Sequence, residues 1–141
     1  MNVLIDTNVV LDILLKREPH YKNAALVQAL SEKGYINGYI SAASVTDIYY
    51  IVKKETKSKD TALGLVKKIL TTIHIAAVTE RIILKALNLK WDDFEDSVQY
   101  VVGKDVAVDF IITRNTTDFE KSEIEVRTPG DFVEQFILSQ Q

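Results

Sequence analysis

The sequence predicts an α/β fold, a three-layer sandwich with a mainly parallel central sheet flanked by helices. Short apolar runs alternate with helical stripes along the whole chain, and parallel strands need the crossover connections that such helices supply. Two of the runs stop abruptly at polar, acid-bearing segments, once at Asp6 and once after Thr113. With 141 residues, 47% of them hydrophobic and 26% charged, and with no linker or internal repeat, the chain reads as one domain spanning residues 1–141.

Taken in order, Val3, Leu4 and Ile5 form a first strand ending at Asp6, and Val9, Val10, Ile13 and Leu14 follow at helical spacing. After the break at Glu18-Pro19, Tyr21, Ala24, Val27 and Leu30 make a helical stripe that Gly34 closes. Tyr35 to Ile40 is a second strand. Ser44 is the expected N-cap of the next helix, with Val45, Ile48, Tyr49 and Val52 on its buried face. A helix from Ser58 carries Leu63, Val66, Ile69 and Leu70, and Ile73 to Val78 is a third strand. Thr79 caps a helix through Ile82, Ile83, Ala86 and Leu87. Asp93 begins another, with Phe94, Val98, Val101 and Val102 on one face and an end near Gly103. Val106 to Thr113 is a strand, Glu125 to Arg127 an edge strand, and Thr128-Pro129 opens a last helix through Phe132, Val133, Phe136 and Ile137.

Composition removes several chemistries. There is no cysteine, which excludes disulfides and thiolate metal sites, and 2 histidines cannot build a typical zinc centre. A metal here would be held mainly by oxygen. The net charge of −3 lacks the basic footprint of a passive nucleic-acid binder, although an enzyme can gather acids at its site and lysines along a flank. The opening MNVLIDTN has no basic segment leading an apolar stretch, and no apolar run approaches the roughly 20 residues that span a bilayer. A cytoplasmic protein with no membrane association is expected.

In parallel sheets, ligands bind beyond the carboxyl ends of the strands, at the topological switch point. Four places meet that condition: Asp6, Asp47, Asp96 and the segment Asn115 to Asp118. Singly, each acid has a structural explanation. Asp6 fits an N-cap, Asp47 fits a capping box three residues after Ser44, Asp96 in the run Asp92, Asp93, Glu95 fits a helix-dipole complement, and Asp118 fits a turn. Jointly the balance shifts, because converging carboxylates repel one another and raise each other's pKa unless a cation is present. Mg²⁺ or Mn²⁺ would resolve that conflict. His20 and His74 lie outside the candidate loops, so metal-activated water attacking a phosphodiester is the remaining chemistry.

The segments IDTNVVLD, SAASVTDIYYIV, DFEDSVQY and FIITRNTTDF, in this order and spacing, resemble the PIN domain family over nearly the whole chain. The resemblance implies a PIN-like fold and a divalent-metal-dependent ribonuclease directed at single strands. Small free-standing prokaryotic members are commonly VapC-type toxins, neutralised by an antitoxin and often dimeric, so it also implies an RNA substrate, an antitoxin partner and a homodimer. Residue by residue it assigns catalysis to Asp6, Asp47, Asp96 and Asp118, with metal coordination by Asp6, Asp96 and Asp118. Asn8 would orient Asp6, and Thr113 and Asn115 would hydrogen-bond a ligand water or carboxylate. The family's second acid is usually glutamate. Asp47 is one methylene shorter, a reach that fits contact through water. Asp12 and Asp93 receive supporting or structural positions.

Arg114, inside the strand-end loop, is the expected phosphate contact. Lys53, Lys54, Lys57, Lys59, Lys67 and Lys68 either steer a phosphate backbone or solvate a helix rim. Trp91 and Tyr100 are read either as base-stacking rings or as core, and Tyr50 as an interface residue. A haloacid-dehalogenase phosphatase needs a second aspartate where Asn8 stands, and a receiver domain needs an acceptor aspartate where Val78 is followed by Thr79-Glu80. The alternative left open, chiefly by Asp47, is a PIN-like module of weak or no catalytic activity that binds RNA or protein.

Overall fold

Strands that read as unbroken apolar runs must be buried on both faces. In the computed structural model, which describes residues 1–141, the strands are β1 (Asn2–Ile5), β2 (Asn37–Ser41), β3 (His74–Ala76), β4 (Phe110–Ile112) and β5 (Glu125–Arg127). They form one sheet in the order β3-β2-β1-β4-β5, and every neighbouring pair is parallel. Leu4 stands opposite both Tyr39 and Ile111, which fixes β1 at the centre.

Side chains alternate across a strand, and the two faces feed two separate cores. Val3, Ile5, Ile40 and Ile112 pack under α1 (Thr7–Leu14), α2 (Tyr21–Glu32), α3 (Ala42–Thr56), α4 (Lys59–Ile69) and α7 (Pro129–Ser139). Leu4 and Ile111 face the other way, onto α5 (Glu80–Leu89) and α6 (Phe94–Val106). This is the three-layer sandwich. None of the helices is long and apolar enough to cross a membrane.

Several local expectations shift. The N-cap of α3 is Ser41, not Ser44: Ser41 is extended and its hydroxyl accepts from the Ala43 amide at 3.2 Å. Ser44 instead lies buried inside the first turn, where its hydroxyl accepts from Thr7 Oγ1 at 2.8 Å and ties α3 to α1. Helix α6 passes through Gly103 and ends at Val106, with Ala107 in the left-handed region at φ 60°. Gly103 serves close packing: a Cβ there would come within 3.1 Å of Ile124 Cδ1 and 3.2 Å of Val108 Cγ2. That longer helix consumes the start of the expected strand at Val106, so β4 begins only at Phe110. Likewise β2 begins at Asn37 rather than Tyr35, because the turn after α2, with Gly34 at φ 80°, extends further than expected.

Candidate active site

The strand order places β2 and β3 on one side of β1 and β4 and β5 on the other, so the connections diverge at the carboxyl end of β1. Asp6 stands there. Its amide continues the ladder by donating to Ile112 O at 2.9 Å. Its carboxylate is the N-cap of α1 and accepts from the Thr7 amide at 2.7 Å, from Gln99 Nε2 at 2.5 Å and from Thr113 Oγ1 at 2.8 Å. Thr113 is in turn fixed by the Asn115 amide, which donates to its hydroxyl oxygen at 3.1 Å. A carboxylate only 7% exposed and held by three donors has one orientation.

A cavity of about 600 Å³ opens above it, lined by Asp6, Asn8, Asp47, Asp96, Asn115 and Asp118, together with Asp93, Glu95 and Tyr50. Asp96 lies in the first turn of α6, whose N-cap Asp93 accepts from the Asp96 amide at 3.1 Å. Asp118 projects from the short 3-10 turn Thr116–Phe119 after β4. Asp47 is in the second turn of α3, beyond any capping position, once Ser41 is the cap. The capping-box explanation for Asp47 therefore falls. Asn8 lines the cavity, but the hydrogen bonds that orient Asp6 come from Gln99 and Thr113.

The electrostatics register the crowding. Burial, followed by the charges of Asp93, Asp6, Asp118 and Glu95, pushes the Asp96 carboxyl up to about 7 from 3.8. Glu95 is raised too, by partial burial and then by Asp47, Asp93 and Asp6. No three of these acids are close enough to grip one ion directly. That spacing suits a cation held by one or two carboxylates, with water completing its shell. The donor set is all oxygen, which fits a hard divalent cation such as Mg²⁺ or Mn²⁺.

Arg114, the expected phosphate contact, does not line this cavity. Its Nε lies 2.8 Å from Asp12 Oδ2, and it borders a separate hollow with His20 and Asn23. Asp12 has no solvent exposure, and a buried carboxylate without a counter-charge is costly, so the guanidinium is committed to it. Burial still outweighs Arg114 and holds the Asp12 carboxyl above its usual range. Tyr100 is buried beneath Trp91 and is core. Lysines 53, 54, 57, 59, 67 and 68 are all exposed along α3 and α4.

Gln99 and Glu95 were not singled out by sequence reasoning. A glutamine inside the apolar stretch VQYVV, three residues after Asp96, is the one signal that pointed to the first. Glu95 carried none, because it sits in an acidic run that also fits a solvated helix start.

A family model described as PIN domain matches residues 2–117. Among solved structures, the chain is similar to a DNA-bound VapBC from Salmonella typhimurium, with a TM-score of 0.72 and 13% identity over 92% of this chain and 98% of that one. A toxin-antitoxin complex from Klebsiella pneumoniae gives a TM-score of 0.66 and 22% identity over 90% and 97%. VapC20 of Mycobacterium tuberculosis, a toxin that cleaves the sarcin-ricin loop, gives 0.64 and 13% over 77% and 86%. No protein of curated function matches the sequence.

Proposed function

The chain belongs to the PIN domain family, and on that premise we propose that it is a divalent-metal-dependent endoribonuclease and the toxin of a toxin-antitoxin pair. The observation that carries this reading is the convergence of Asp6, Asp47, Asp96 and Asp118 on one cavity, like charges that a folded chain has little reason to collect and that, after burial, help raise the Asp96 carboxyl to about 7. Of Asp6, Asp96 and Asp118, one or two would hold Mg²⁺ or Mn²⁺ directly, and the remaining acid, like Asp47, would reach it through water. When bound, the ion lowers the pKa of water and polarises a phosphoryl oxygen.

The chain's own residues set the geometry. Gln99 and Thr113 fix the orientation of Asp6 in the cavity wall, and the Asn115 amide fixes Thr113. Asp47 and Glu95 line the same cavity, and Glu95, whose carboxyl is raised by burial and then by Asp47, would accept a proton from an incoming water. The antitoxin partner is supported by the toxin-antitoxin complexes among the structural neighbours. A homodimer remains part of the proposal by family resemblance.

A binding module without catalysis is the second reading, favoured by the short Asp47 and by the absence of a tight three-carboxylate grip. Metal titration followed by cleavage of single-stranded and structured RNA separates the two. The nuclease reading expects cleavage with Mg²⁺ or Mn²⁺ that Asp6→Asn abolishes. Binding of RNA without cleavage under either ion would leave only the module.

A further inference from the structure

Two aromatic rings line neighbouring cavities that share the carboxylates, and each is braced by another aromatic ring. Tyr50 follows Asp47 by three residues on α3, is 65% exposed and lines the acidic cavity. Tyr49, packed against the larger core, meets it edge-on with ring centroids 5.3 Å apart. Beyond Asp93, Asp96 and Asp118 lies a second cavity of about 150 Å³ that shares those three residues and has Trp91 and Lys121 in its wall. Trp91 rests on Tyr100 at 4.9 Å, with planes 30° apart, and meets Phe119 edge-on at 6.3 Å. The shared acids thus belong to two cavities, each with an anchored ring in its wall.

An exposed tyrosine ring over a cluster of carboxylates does nothing for the core, and its neighbours give it no hydrogen-bonded role. Base stacking is tolerant of sequence and requires unpaired bases, whose faces a single strand presents and a duplex hides. Lys121 adds a cation for the phosphate backbone on the Trp91 side. We propose that Tyr50 and Trp91 each stack one base of a single-stranded RNA, so that the intervening phosphodiester lies over the acids shared by the two cavities. This rests on the ribonuclease reading and adds the path of the strand and the residues that position it.

Trp91 is the only tryptophan, so its fluorescence reports on its own cavity. In Asp6→Asn protein, which should not cleave, a single-stranded oligoribonucleotide of about six nucleotides should quench that fluorescence saturably, and a duplex of the same sequence should not. Tyr50→Ala in the same background should weaken binding about tenfold, and Tyr50→Phe, which keeps the ring, should bind as the parent does. In the otherwise native enzyme, Tyr50→Ala should raise KM more than it lowers kcat. Binding with no change at Trp91, equal binding by Tyr50→Ala, or no binding at all overturns the proposal. Cleavage that persists with a KM indifferent to Tyr50 sinks this inference alone. Quenching and Tyr50-dependent binding without any cleavage by the native chain sinks the nuclease reading alone.

Discussion

Asp6 is held by three donors and faces Asp96 across the cavity. Asp6→Asn keeps its shape and removes its charge, so RNA cleavage should fall by more than ~100-fold, beyond what losing an outer hydrogen-bond partner costs. The metal-free protein should at the same time melt no lower at neutral pH, because one repulsive charge on Asp96 is gone. Thr113→Val isolates the outer partner, and cation affinity measured by calorimetry should weaken by about 10- to 100-fold. Arg114→Ala probes a different role. If the guanidinium serves Asp12, the substitution should destabilise the fold by about 3 kcal/mol in urea, an upper range that protonation of Asp12 would soften, and leave oligonucleotide affinity nearly unchanged. A stable Arg114→Ala variant with weakened RNA binding would restore the phosphate contact.

At the scale of elements, the strand ends were legible because the apolar runs of β1 and β4 stop at polar residues, and Asp6 and Asp118 follow from that rule, whereas Asp96 stands in the first turn of α6, after another helix. Helix register was less so. In the stretch Ser41-Ala42-Ala43-Ser44 two serines fit an N-cap and the intervening alanines carry no periodicity, so the choice fell three residues late. That slip gave Asp47 a capping role it does not have. Ser41→Ala should cost about 1 kcal/mol, whereas Asp47→Ala should cost almost nothing in stability and still reduce cleavage. Thermal melts with activity assays on both variants check this, and a stability loss for Asp47→Ala would revive the cap. The hydrogen bond from Gln99 to Asp6 and the pairing of Arg114 with Asp12 were not legible, since both join residues that only the folded sheet brings together.

For the whole molecule, the order β3-β2-β1-β4-β5 brings acids from four separate segments to one end of the sheet, at the expense of stability. The folded Asp96 carboxyl, at about 7, binds a proton that the unfolded chain, near 3.8, has already lost. Stability of the metal-free protein should therefore fall as pH rises through that window, and a divalent cation should restore it at neutral pH. The most direct test of the cluster as a cation site is a calorimetric Mg²⁺ titration at about pH 7 in buffers of different ionisation enthalpy. Binding that releases protons, weakens at acid pH and disappears in Asp6→Asn is the predicted result. Absence of binding, or binding that neither releases protons nor depends on Asp6, would contradict the account.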